Sequence, residues 1–146
     1  MDEKAKLNPV YEYKKQILEQ HLDTFGHVNN ATYLMLYEEA RWDFITKNGL
    51  GLKEIMENKI GPVLLDLHLT FKAELLNREE ITIVSHGTEM KNKFVMVLEQ
   101  KMLKPNGKIA STLNLSVGLM DLKERKLIAP TEEWLRALGM EAFVDN

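Results

Sequence analysis

Within the segment from His21 to Arg41, HLDTFGHVNNATYLMLYEEAR, an acid (Asp23), a glycine (Gly26), a histidine (His27) and two asparagines (Asn29 and Asn30) stand directly ahead of a run of helical character. The first turn of a helix leaves backbone N–H groups without partners and carries the positive end of the helix dipole, so it attracts developing negative charge. Gly26 lets the connecting loop turn sharply and a ligand come close. Asn29 or Asn30 supplies the N-cap, and Asp23 sits on the loop leading in. An acid beside an oxyanion-binding helix start suits acyl transfer.

The elements that must hold these residues can be read from periodicity. Val10 to Leu22 reads as a strand, with Tyr11, Tyr13 and Ile17 on one face and Leu18 and Leu22 on the other. After the loop, Ala31 to Asn48 forms one helix carrying Leu34, Met35, Leu36, Tyr37, Ala40, Trp42, Phe44 and Ile45, stopped at Gly49. Its apolar positions exceed a single stripe, which predicts cover on most sides. Leu52 to Lys59 reads as a short second helix. Val63, Leu65, Leu67, Leu69, Phe71 and Ala73 then alternate with Leu64, Asp66, His68, Thr70, Lys72 and Glu74, which predicts a strand with the first set toward the core. Ile81 to Glu89 and Phe94 to Leu103 follow as strands across a Lys91-Asn92-Lys93 turn. Pro105-Asn106-Gly107 turns into a strand from Ile109 to Leu119 with one small-residue face. Pro130 to Leu138 reads as a closing helix capped by Thr131, with Glu132 and Glu133 in its first turn. A long helix followed by antiparallel strands that twist around it is an α+β arrangement of the hotdog type: a central helix wrapped by a curved antiparallel sheet of about five strands. A sheet with the helix on one face is the alternative.

The loop and helix start also resemble the hotdog-fold thioesterases. The 4-hydroxybenzoyl-CoA thioesterase-like branch shows an Asp, a Gly three residues on and an aromatic, Asn/Tyr-rich helix start, matched by Asp23, Gly26, Asn30 and Tyr33. The plant acyl-ACP thioesterases show D-x-N-x-H-V-N-N-x-x-Y, matched by Asp23, His27, Val28, Asn29, Asn30 and Tyr33, with Phe25 where those enzymes carry a catalytic Asn. The resemblance implies hydrolysis of an acyl-CoA or acyl-carrier-protein thioester. Asp23 would act as nucleophile or as general base on water, and the Asn30 amide would hold the oxyanion. His27 would orient a water or the Asp23 carboxylate, beside Gly26, and Tyr33, Phe25 and Asn29 would contact substrate. By residue type alone, Tyr33 and Tyr37 read as core. A second lineage of these enzymes carries its carboxylate on the central helix, which brings Glu38 and Glu39 forward; the residue pattern favours structural roles, with Glu38 paired to Arg41. The resemblance also implies a homodimer or homotetramer.

A non-catalytic acyl-CoA-binding or sensing protein is a further alternative, as is a dehydratase or hydratase, although H-x-x-x-x-P-G and D-x-N-x-x-H signatures are missing. His21, Asp23 and His27 match no established metal spacing, and no cofactor is expected. Lys72, Arg78, Lys91 and Lys93 are candidates for phosphate contacts, each equally at home in a solvated turn.

Length and charge set the remaining bounds. The 146 residues fit one domain, 1–146, with room for a substantial core. A net charge of −3 provides no broad basic field for nucleic acid. No apolar run reaches the ~20 residues of a membrane span, and MDEKAKLNPV lacks a signal-peptide core. A cytoplasmic protein is expected. With 0 cysteines, disulfides and thiolate chemistry are excluded.

Overall fold

The computed structural model describes residues 3–144. Its elements run β1 (Val10–Gln16), α1 (Asn30–Lys47), α2 (Leu52–Asn58), β2 (Ile60–Phe71), β3 (Glu80–Met90), β4 (Val95–Leu103), β5 (Ile109–Asp121), β6 (Lys126–Ile128) and α3 (Glu132–Ala137), with short 3-10 turns at Glu3–Leu7, Glu19–His21 and Glu141–Phe143. All strand pairs are antiparallel, in the order β1-β3-β4-β5-β2. β4 leaves β5 at Gly118, and β6 takes up pairing from Leu119, which adds a sixth short strand to the five expected.

The core follows from two periodicities meeting. On α1, Tyr33, Leu36, Tyr37, Ala40 and Phe44 recur at helical spacing and are buried. On β4, Met96, Leu98, Gln100 and Met102 point inward at every second residue, beside Ile81 and Ile83 of β3 and Leu113, Leu115, Val117 and Leu119 of β5. Cover on most sides of the helix holds except along one stripe. Met35 is 69 % exposed, and Glu38 and Thr46 face outward on the same side.

Gln100, fully buried, is the one polar member of the inward β4 row. It accepts from Arg41 Nη1 at 2.9 Å and donates to Ser85 Oγ at 2.9 Å and to the Tyr37 carbonyl at 3.2 Å. The amide thereby ties α1 to β3 and β4. Burial pulls the Arg41 guanidinium below its usual pKa. Arg41 thus turns to the sheet, and the expected Glu38–Arg41 ion pair gives way to the Gln100 contact because a half-buried guanidinium needs an inward acceptor.

Two strand boundaries change. β1 ends at Gln16, opposite Glu80, where β3 begins. Beyond that point Leu18 to Leu22 leaves the sheet for the 3-10 turn, closed by Leu18 N–H donating to His21 Nδ1 at 2.8 Å. In β2 the register slips between Leu64 and Asp66. This bulge breaks the alternation: Leu64, Leu67, Leu69 and Phe71 lie opposite the inward Val117, Leu115, Leu113 and Ser111. Val63 lies opposite Gly118, and Leu65 sits over Gly118 beside Leu127. The core face read from simple period two is therefore correct for Leu67, Leu69 and Phe71 and wrong for Val63 and Leu65, since one extra residue inverts the faces before it. Even the inward set is only partly covered, Leu64 being 47 % and Phe71 51 % exposed.

Candidate functional site

The segment between the Glu19–His21 turn and α1 is a small closed hairpin. Leu22 bridges Val28, and Asp23 N–H donates to the His27 carbonyl at 2.8 Å. Gly26 closes the tip, its N–H donating to the Asp23 carbonyl at 3.1 Å with φ of +80°, a conformation in which a side chain would be strained. Asp23 Oδ1 accepts from Phe25 N–H at 2.9 Å and His27 N–H at 3.2 Å. One carboxylate oxygen is thus occupied in shaping the loop, and Oδ2 has no hydrogen-bond partner among the described residues. That leaves a fixed, exposed carboxylate with one lone-pair face open for chemistry.

Across the hairpin the chain enters α1. Asn29 is the N-cap, its Oδ1 accepting from Ala31 N–H at 2.8 Å, which resolves the choice between Asn29 and Asn30. Thr32 and Tyr33 N–H groups both donate to the Asn29 carbonyl, at 3.0 and 3.2 Å. Of the four first-turn amides, only that of Asn30 lacks an acceptor among the described residues. An N–H at the positive end of an eighteen-residue helix, beyond a hairpin that carries a free carboxylate oxygen, is a donor poised for an oxyanion.

The other sequence candidates distribute around this pair. The His27 ring is in contact with Glu74 through Nδ1 and Oε1, joining the hairpin to the connection after β2, while its backbone rather than its ring meets Asp23. Phe25 lies at the tip, 83 % exposed. Tyr33 is buried, with its ring edge-on to Phe71 at 5.0 Å, so it walls the space beside the helix start; burial raises its hydroxyl pKa. Glu38 is exposed and makes no ion pair among the described residues. Glu39 accepts from Tyr13 Oη at 2.6 Å and pairs with Lys15 at 3.0 Å, pinning α1 to β1. Burial raises the Glu39 pKa, but the Tyr13 and Lys15 hydrogen bonds outweigh it and leave the carboxyl below its ordinary value. The Glu39 hydrogen bond, followed by burial, pushes Tyr13 up to about 12. His21, buried two residues before Asp23, is lowered by burial and then by Lys15, and its Nδ1 is already an acceptor. His21, Asp23 and His27 therefore serve three separate purposes, and no metal-binding group of three such residues forms among the described residues.

Between α1 and β2 lies a pocket of about 100 Å³ lined by Glu38, Arg41, Trp42, Ile45, Pro62, Val63, Leu64, Val117 and Leu138. Nearer the helix start, the Tyr33–Phe71 ring contact joins the same two elements. Of the candidate cations, Arg78 is committed to Glu19 at 2.7 Å, and Lys93 lies over the Phe94 ring. The Glu74 and Glu39 partnerships were not readable from sequence. The first joins residues far apart in the chain, and the second spans 26 positions with no local pattern to announce it.

A sequence model described as the thioesterase-like superfamily matches residues 18–138. Over 109 residues the chain is 28% identical to the long-chain acyl-CoA thioesterase FadM of Escherichia coli (strain K12), covering 75% of this chain and 82% of that one. Among solved structures, the probable thioesterase YbaW of Escherichia coli aligns with a TM-score of 0.76 at 26% identity, covering 88% of this chain and 98% of the other. The hypothetical protein SAV2348 of Staphylococcus aureus, solved in complex with CoA, aligns with a TM-score of 0.83 at 18% identity, covering 92% and 85%. The fold is that of the hotdog thioesterases. Among the described residues no helix is long and apolar enough to cross a membrane.

Proposed function

Because the chain belongs to the thioesterase-like superfamily, we propose that it hydrolyses acyl-CoA thioesters at the site formed by Asp23 and the start of α1. The observation that carries this reading is that the hairpin leading into α1 carries an open Asp23 Oδ2 while the helix start it leads to has, among the described residues, one acceptor-free amide, Asn30 N–H. The thioester carbonyl oxygen accepts from that amide. Asp23 either attacks the carbonyl carbon and expels the thiolate as the C–S bond breaks, giving a mixed anhydride that water opens, or takes a proton from the attacking water and passes it to the thiolate that leaves as the C–S bond breaks. In both courses the tetrahedral oxyanion forms against the helix dipole, where it is stabilised most. His27, held by Glu74, keeps the hairpin in place, and Gly26 supplies the turn.

The acyl group runs along α1 from the helix start toward the pocket at Trp42. Tyr33, Phe25 and Asn29 contact it near the thioester, and Asn30 to Trp42 spans twelve residues, about 18 Å along the helix. A path of that length suits a long alkyl chain, in keeping with the long-chain acyl-CoA relative. An acyl-carrier-protein thioester presents the same thioester and is accommodated by the same site.

We also propose a homodimer. β2 is paired only with β5, its other edge is open, and Leu64, Leu65, Leu67 and Phe71 are exposed along it, a combination that strand addition removes.

The test is release of free thiol from acyl-CoAs of short, long and aromatic type, with Asp23→Asn beside the unaltered chain. Asn keeps an oxygen for the Phe25 and His27 amides, so the hairpin survives while the charge is lost. Turnover of a long-chain substrate, reduced about 10²–10⁴-fold by the substitution, is expected. Full activity in Asp23→Asn moves the carboxylate elsewhere, and binding without cleavage favours a sensor.

A further inference from the structure

We infer that the pocket between α1 and β2 recognises a hydroxyl at the far end of the acyl chain, held between Arg41 and Glu38. The acyl path proposed above is the premise, and the class of chain that path takes is what is added: a long-chain acyl group oxygenated at its tail. The pocket, about 100 Å³, has apolar walls from Ile45, Val63, Val117 and Leu138, yet Glu38 and Arg41 line it as well. Three residues apart on one helix, the two side chains share a face. They nonetheless form no ion pair with each other among the described residues. Arg41 spends Nη1 on Gln100 at 2.9 Å, and its other N–H groups have no acceptor among the described residues. Glu38 has no donor among them. A donor and an acceptor are thus left facing one cavity.

The direction of the path brings the end of the chain to them. Tyr33 meets Phe71 near the helix start, while Arg41 and Trp42 share the pocket with Pro62 and Leu64, so α1 and β2 run in opposite directions. A chain laid between them from the thioester reaches Arg41 with its tail. The chemistry of that tail follows from the two charges, since a guanidinium only donates and a carboxylate only accepts. A methyl end strips solvent from both groups and returns no hydrogen bond, which costs binding. A carboxylate end accepts from Arg41 but sets a second negative charge beside Glu38. A hydroxyl end offers a lone pair to Arg41 and its proton to Glu38, and both bonds are of the stronger, charge-assisted kind. The methylenes before it fill the apolar walls.

The probes are three long-chain acyl-CoAs of equal length that end in methyl, hydroxyl or carboxyl, read by thiol release. A purely apolar pocket prefers the methyl end, which buries the most apolar surface and leaves no polar group to satisfy. The sign of the preference is therefore decisive. The unaltered chain is expected to show kcat/KM about tenfold higher for the hydroxyl end than for the methyl end, with the carboxyl end below the hydroxyl. Glu38 is exposed, so its replacement leaves the core packing alone, and circular dichroism checks each variant. Glu38→Ala is expected to cut the hydroxyl-over-methyl ratio to about threefold or less. Glu38→Gln keeps an acceptor without the charge and is expected to raise the carboxyl end relative to the hydroxyl end about fivefold. A preference for the methyl end in the unaltered chain, or a hydroxyl preference that Glu38→Ala leaves intact, overturns the hydroxyl site. Calorimetric binding of the same three acyl-CoAs to Asp23→Asn separates this site from catalysis. If none of the three releases thiol, the catalytic reading falls, and the order of affinities, hydroxyl above methyl or the reverse, still upholds or overturns the site.

Discussion

Gln100→Leu tests how α1 is held over the sheet. The substitution nearly conserves volume but removes an acceptor from Arg41 and donors from Ser85 Oγ and the Tyr37 carbonyl. The Tyr37 carbonyl already serves the helix, so its loss is minor. The Ser85 hydroxyl, 1 % exposed, is left without its donor, at about 1–2 kcal/mol. Arg41 keeps its charge with no inward acceptor; because the side chain is only half-buried, the cost is about 1–2 kcal/mol rather than that of a fully buried ion. Burying the leucine returns about 1 kcal/mol. The net expectation is a loss of about 1–3 kcal/mol, which for a domain of this size lowers Tm by about 3–10 °C. Urea unfolding and calorimetry measure both quantities. A cycle with Arg41→Leu isolates the coupling: the double variant is expected to be more stable than the sum of the single losses implies, by about 1–2 kcal/mol. A loss below about 0.5 kcal/mol for Gln100→Leu, the scale of an ordinary surface change, or strict additivity in the cycle, refutes the reasoning.

Two further perturbations follow from the geometry. Since the folded-state pKa of His21 is depressed by burial, the unfolded chain binds its proton more readily. Its contribution to stability is therefore complete above about pH 6.5 and is lost as pH falls below that toward the folded value. His21→Asn, whose Oδ1 can still accept from Leu18 N–H, is expected to flatten the urea midpoint between about pH 7 and 5 relative to the unaltered chain, and an unchanged slope contradicts the assignment. At Gly87 an added Cβ would run into Met140 Sδ and come within 2.8 Å of the Gly139 carbonyl oxygen, while Asn8 Nδ2 donates to the Gly87 carbonyl at 2.9 Å. Gly87→Ala should cost about 1–3 kcal/mol in urea by pushing β3 from the segment after α3, and a neutral result means that segment yields freely.

What could be read without coordinates were the quantities that local chemistry decides. Period-two alternation marked β3 and β4 because each is paired on both edges and buried on one face, and β5 because its inward apolar row alternates with small residues. The apolar run after Asn30 marked α1, and Thr131 marked the last helix, where its Oγ1 does accept from Trp134 N–H at 3.2 Å. The Asp23-Gly26-Asn30 spacing was legible because a hairpin and a cap are built within a few residues of chain. Tertiary structure decided the rest. The β2 bulge inverted Val63 and Leu65, since a register slip leaves no trace in a run of leucines. Arg41 chose Gln100 over Glu38, and His27 found Glu74, because the partner of a charged side chain is set by what the fold brings within reach, not by helix spacing. Whether α1 was wrapped or merely seated on one face depended on the breadth of the sheet it meets, a property that belongs to no single segment.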